Sequence, residues 1–247
     1  LSDVACLIQR KLFLDFMYQG NYAEDLDLGI RLIRAGHSLA LLSSVQVIHS
    51  HNRPALYYLK RSLVDGRTLQ PILPDMPTEI ILPQTLANRV VTTYCALTLY
   101  IKQIQARTEE TTWNAFCQWS TGIFPEIDAK LAQMSREELL SILQTDGAQI
   151  DKDMSIFAEA LFQSYWDEFT PDNSSSAGWQ HFLIQVTSQY FTANNVHFDL
   201  NVRREVLEML PKYTAQLFGS LLAAYSVNPV PEDTFLNQII EQYSNGI

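Results

Sequence analysis

YQGNYAEDLDLGIRLIRAGHSLALLSSVQVIHSHNR, residues 18–53, is the stretch on which both fold and function turn. Tyr22 to Ala35 has helical spacing, with Leu26, Ile30 and Ile33 along one face. Glu24 and Asp25 stand at its head, and Gly36 sits where a C-terminal cap belongs. Leu39 to Leu42 and Val45 to Ile48 read as two short strands joined near Ser43-Ser44. The second strand ends in His49 and His51.

Working outward, Val4 to Ile8 suits a buried strand and Lys11 to Met17 a brief helix, with a turn at Gln19-Gly20-Asn21. Pro54 suits the first turn of a helix running to about Leu69. Residues 71–83, PILPDMPTEIILP, contain four prolines and form the best linker in the chain. Helices follow at about 84–107, 110–120, 126–145, 151–168, 177–193, 199–226 with a break near Pro211, and 232–244. Ser135-Arg-Glu-Glu138 has the form of a capping box.

The chain of 247 residues is long enough for one large core or two smaller ones. Its net charge of −10 is uneven: residues 1–70 hold 8 basic and 6 acidic groups, residues 71–247 hold 9 and 21. The second part is therefore a poor partner for nucleic acid or an anionic membrane surface. Only the first part would welcome an anionic ligand. Cys6, Cys95 and Cys117 are far apart and match no disulfide or zinc spacing, which points to a reducing, cytoplasmic compartment. Leu1 to Cys6 reads as the middle of a fold, not as a signal peptide. The uncharged run Val90–Ile101, twelve residues, is too short to span a bilayer as a helix.

Three groups of side chains could carry chemistry. A carboxylate at a helix N-terminus is fixed in place and favoured in its ionised form. Of the adjacent pair Glu24 and Asp25, one could take a proton while the other orients an acceptor. Asn21-x-x-Glu24 is equally a fair capping box, so a purely structural role stays open. Asp27 reads as a solvated helix residue.

His49 and His51 point to the same side of an extended strand and could present two imidazoles to one metal or phosphate. Two histidines make an incomplete metal site, and hydrogen bonds to loop carbonyls are the alternative. Arg53, Lys60, Arg61 and Arg67 fall within fifteen residues, with Asp65 the only acid. They could neutralise a diphosphate, or they could be a solvated helical face.

The order of these pieces is informative. Ala23-Glu24-Asp25-Leu26-Asp27-Leu28 leads to Arg31-Leu32-Ile33-Arg34-Ala35-Gly36, then to Val47-Ile48-His49-Ser50-His51-Asn52-Arg53. Tyr57-Tyr58-Leu59-Lys60-Arg61 and Asp65-Gly66-Arg67 complete the series. As a series it resembles the C-terminal part of the catalytic domain of glycosyltransferase family 2, which has the GT-A fold. The resemblance covers residues 1–70.

That resemblance implies Asp25 as the general base of an inverting sugar transfer, with Glu24 beside it at the acceptor site. It implies His49 or His51 as a ligand of a divalent ion, Mn or Mg. It also implies Arg61, and with it Lys60, Arg67 and Arg53, facing a nucleotide diphosphate. The donor would be a nucleotide-diphosphate sugar, and the acceptor a saccharide, a lipid-linked group or a protein. The family's nucleotide-binding N-terminal half has no counterpart here, so the chain by itself is expected to transfer no sugar. The cytoplasm is the expected compartment, with a peripheral place at the inner membrane face as a variant of it.

The expected fold is mainly α with a small β component. A truncated α/β, GT-A-like segment (1–70) and a Pro-rich linker (71–83) precede an all-helical domain (84–247). In that last part Trp113, Trp119, Trp166 and Trp179, with Phe157, Leu161 and Tyr165, read as core. His181 and His197 read as structural, and Asp151, Asp153, Asp167 and Glu168 as solvated charges. This domain is expected to dock on the catalytic half, bind a partner or form a homo-oligomer. One rival is a non-catalytic helical scaffold in which Glu24-Asp25 is only a cap. Another is a metal-dependent hydrolase built on His49 and His51, for which no further ligand spacing is present.

Overall fold

The computed structural model describes residues 7–19, 24–40, 53–72, 80–169, 197–227 and 233–245. The protein is mainly helical. α1 (Arg10–Phe16) and α2 (Glu24–Arg34) come first, followed by α3 (Ala55–Ile72) and α4 (Pro83–Ala106). After them come β1 (Thr111–Thr112), α5 (Trp113–Leu131), α6 (Arg136–Ser141), a π-helical segment (Ile142–Gly147) and α7 (Ala148–Ile150). α8 (Lys152–Tyr165), β2 (His197–Phe198), α9 (Leu200–Val227) and α10 (Thr234–Ser244) complete the order. β1 and β2 form an antiparallel pair, Thr111 opposite Phe198 and Thr112 opposite His197.

The part expected to be helical throughout thus carries one short strand pair. The strand pair expected at 39–48 lies, apart from Leu39 and Ala40, outside the described residues, as does the helix expected at 177–193. Among the described residues no helix is long and apolar enough to cross a membrane.

α4 is the centre of the core. Leu86, Ala87, Val90, Val91, Tyr94, Cys95 and Leu97 have no exposed surface, which leaves this helix apolar on nearly every side. It packs against α5, the π-helical segment, α8 and α9. α3, whose last two residues run into the stretch expected as a linker, contributes Ala55, Leu59 and Leu63 to the same core. Its partner is α9, and small residues let the two helices approach closely. A Cβ on Gly66 would lie 2.5 Å from the Ala223 Cβ. A Cβ on Gly219 would meet the Leu59 carbonyl oxygen and lie 2.8 Å from the Ser62 Cβ.

Two expected breaks are absent. α5 runs through Pro125 and α9 through Pro211, although an internal proline removes a hydrogen bond and crowds the preceding turn. Burial on both sides of each proline outweighs that local cost: Phe124 and Ile127 flank Pro125, and Leu210 and Thr214 flank Pro211. The break falls instead after Leu131, where Ser135 starts α6. Glu138 N–H donates to Ser135 Oγ (3.3 Å) and Ser135 N–H to Glu138 Oε2 (2.7 Å), the expected capping box.

Other helix starts use aspartates. Asp151 Oδ1 accepts from Met154 N–H (3.0 Å) at α8, so Asp151 is a cap and not a merely solvated charge. Asp199 Oδ1 accepts from Asn201 and Val202 N–H (2.8 and 2.9 Å) at α9. Asp233 Oδ1 accepts from Leu236 N–H (2.9 Å) at α10, while its Oδ2 accepts from the Tyr165 hydroxyl (2.7 Å).

Candidate functional site

α2 holds the acidic pair. Glu24, Asp25 and Asp27 occupy its first turn, with Arg31 and Arg34 in its last, the charge order that complements a helix dipole. The helix closes in a Schellman arrangement: His37 N–H donates to Leu32 O (3.0 Å) and Gly36 N–H to Ile33 O (2.9 Å), with Gly36 at φ +85°. Only a residue without a Cβ takes that conformation freely, so the glycine at the expected cap position is put to that use.

The buried face of α2 differs from the expected one. Leu28, Gly29 and Leu32 are inside, whereas Ile33 is 57% exposed and Leu26 and Ile30 are intermediate. Leu28, Gly29 and Leu32 follow Asp25 by three, four and seven residues, which places Asp25 on the axis of the buried stripe. Glu24 stands about a quarter-turn away around the same helix. Asp25 Oδ1 accepts the Leu26 backbone N–H (2.8 Å). Both acids are half-buried.

Asp27 is more than a solvated residue. Its Oδ2 accepts from Arg31 Nε (2.7 Å), one helical turn on. The rest of that guanidinium reaches back to α1: Nη1 donates to Phe16 O (2.5 Å) and Nη2 to Met17 O (2.7 Å). The α1 C-terminus thereby gains both a hydrogen-bonding partner and a cation.

The four basic residues do not form one cluster. Arg53 lies over the Tyr57 ring, 5.7 Å from its centroid. Arg61 pairs with Asp65 (3.1 Å) on the exposed side of α3. Lys60 Nζ donates to Asn245 O (3.3 Å) and Arg67 Nη1 to Ser244 Oγ (2.7 Å), so both reach the C-terminal end of α10. A cleft of about 340 Å³ opens beside that end, lined by Arg67, Ser226, Asn237, Glu241 and Ser244 among others.

His49 and His51 lie outside the described residues, so no distance relates them to Asp25. Among the described residues, no group of three or more His, Cys, Asp or Glu side chains is arranged to hold a metal ion. Comparison with family models, with curated proteins and with solved structures finds no match to this chain.

Sequence reasoning missed the Arg31 bridge. Its helical half, Asp27 with Arg31 at i and i+4, is visible in the sequence; its bonds fourteen and fifteen residues back are not.

Proposed function

We propose that this chain supplies the acceptor side of a nucleotide-sugar-dependent, inverting glycosyltransferase of family 2. The position of Asp25 carries the proposal: it is half-buried in the first turn of α2 and centred on the inward face of that helix. A base placed there is held in position by a regular element. In the proposed step Asp25 takes the proton of an acceptor hydroxyl as that oxygen bonds to the anomeric carbon of the donor. The bond from that carbon to the nucleoside diphosphate breaks, and the diphosphate leaves with the electron pair. Glu24 orients the acceptor. Arg61, on the exposed side of α3, is the first proposed cation for the diphosphate; Arg53 stands apart over Tyr57, and Lys60 and Arg67 would have to leave the end of α10 to join it. A Mn or Mg ion at His49 or His51 would add positive charge to the leaving group.

The test is Asp25→Asn in the full-length protein that contains this chain, supplied with nucleoside-diphosphate sugars. General-base catalysis contributes about 10²- to 10⁴-fold, so turnover should fall by at least about a hundredfold while the far-ultraviolet circular dichroism stays that of the parent. Unchanged turnover would sink the proposal.

One observation favours a second reading, a helical scaffold. Lys60 and Arg67 are already occupied in holding the end of α10. The paired variant Lys60→Ala with Arg67→Ala separates the two. A donor site predicts a raised donor KM whatever the change in Tm, whereas a scaffold predicts no donor binding to lose.

A further inference from the structure

We infer that Arg31 is a positioning residue for the acidic turn of α2, an inference that rests on the proposed role of Asp25. Two independent features converge on its guanidinium. The first is its set of partners: Asp27 Oδ2 at 2.7 Å within α2, and the carbonyls of Phe16 and Met17 at 2.5 and 2.7 Å at the end of α1. The planar fork of arginine can serve three such acceptors at once, which an ammonium on a flexible stem cannot match.

The second is backbone strain at the receiving end. Met17 has φ 43°, a left-handed value rare for a residue with a long side chain. Its own N–H is held by Phe13 O (2.7 Å), and its carbonyl is turned to Arg31. Strained residues persist only where the surroundings over-determine them. Here the Arg31 bonds supply that determination, with two successive carbonyls aimed at one cation.

The consequence bears on Asp25. Among the described residues, Asp25 Oδ1 accepts from the adjacent Leu26 N–H (2.8 Å), a contact within one turn that cannot orient the helix as a body. Among the described residues, α2 is held by burial of Leu28 and Leu32 and by the Arg31 bridge to α1. Burial is non-directional and leaves the helix free to slide or roll by small amounts. The bridge is directional and fixes α2 relative to the end of α1. A carboxylate displaced by about 1 Å from its acceptor loses about a hundredfold in rate. Arg31 touches no reacting atom in this scheme; it acts through the helix.

The experiment uses the full-length protein with Arg31→Lys, Asp27→Asn and Asp25→Asn, assayed against nucleoside-diphosphate sugar and acceptor. Arg31→Lys is expected to lower kcat about tenfold to a hundredfold with donor KM unchanged. The pH-rate profile should keep the parent's acidic limb, because the base itself is intact. Asp27→Asn, which breaks one leg of the bridge and keeps its shape, is expected to lower kcat by less. Parent-like kcat in both Arg31→Lys and Asp27→Asn, with Asp25→Asn inactive, would overturn the inference and leave the proposed function standing. A drop in Arg31→Lys with equal loss of donor binding, or a displaced acidic limb, would also overturn it. An active Asp25→Asn, or a parent protein that transfers no sugar, would overturn the proposed function and this inference with it.

Discussion

Gly66 in α3 and Ala223 in α9 mark one close approach of those two helices, since a methyl group on Gly66 would stand 2.5 Å from the Ala223 Cβ. This contact fixes how α3 lies on the helical core. It also defines a swap experiment. On an isolated helix, Gly66→Ala would be favoured by about 1 kcal/mol through propensity alone. In the protein the clash should win, with a net loss of about 1–3 kcal/mol in urea denaturation, the usual cost of overpacking. Ala223→Gly in the same chain should recover much of that loss. A Gly66→Ala protein as stable as the parent would show that the helices are not so tightly seated.

Asp233 should be costlier to lose than Asp199. Both cap a helix through Oδ1, but Asp233 also accepts the Tyr165 hydroxyl through Oδ2. Asp199→Ala is expected to cost about 1 kcal/mol, the usual value of an N-cap. Asp233→Ala should exceed it, because a partly buried hydroxyl is also left without its acceptor. In a Tyr165→Phe background that excess should shrink. Equal losses for the two alanine variants would contradict the double role.

Alkaline pH should unfold the protein through its buried phenols. Burial, then the charges of Asp151 and Cys95, pushes Tyr94 well above the ordinary tyrosine value, and burial does the same to Tyr100. The folded state therefore favours the protonated phenol more than the unfolded state does. Below the unfolded value of about 10 this stabilisation is fully present; above it the unfolded chain ionises first and stability falls with rising pH. Tyr94→Phe should flatten that fall by about one proton. At pH 7 it should cost about 1–3 kcal/mol, since the hydroxyl serves Gly147 O and Asp151 O, each at 2.9 Å. Denaturant titrations at pH 7 and above pH 10 measure both effects.

The thiols should differ in reactivity. Cys95 is fully buried in α4 and burial raises its pKa, while Cys117 in α5 is partly exposed. An alkylating reagent should label Cys117 in the native protein and Cys95 only on unfolding, because the thiolate is the reacting form. Peptide mapping by mass spectrometry reads the two sites separately. Native labelling of Cys95 at the rate of Cys117 would mean that the α4 core opens locally.

Much of the local structure was legible. The capping box at Ser135 and Glu138 and the terminal glycine of α2 follow from short-range rules and stand where those rules put them, and α4, expected from about 84, starts one residue earlier at Pro83, the expected end of the linker. The prolines misled. The gap expected between about 120 and 126, which contains Pro125, and the break expected near Pro211 are both bridged, because Phe124, Ile127, Leu210 and Thr214 bury enough surface to carry the helices through. The face of α2 was also misassigned, since Leu28 and Leu32 are interleaved with Ile30 and Ile33 and periodicity alone cannot say which pair meets a neighbour. For the candidate site, the acidic pair and its helix could be read directly, whereas the engagement of Lys60 and Arg67 at α10 joins residues 185 and 177 positions apart.

The amino-acid order by itself determined that the protein is mainly helical, where most described helices start, and that acids lead α2 while bases close it. These depend on spacing, capping and backbone freedom within a few neighbouring residues. Only the tertiary structure decided that α3 lies against α9 through Gly66 and Gly219, that two prolines sit inside continuous helices, and that Arg31 ties α2 to the end of α1. Those outcomes depend on which surfaces meet, and burial between distant segments is strong enough to override the preferences of any single turn.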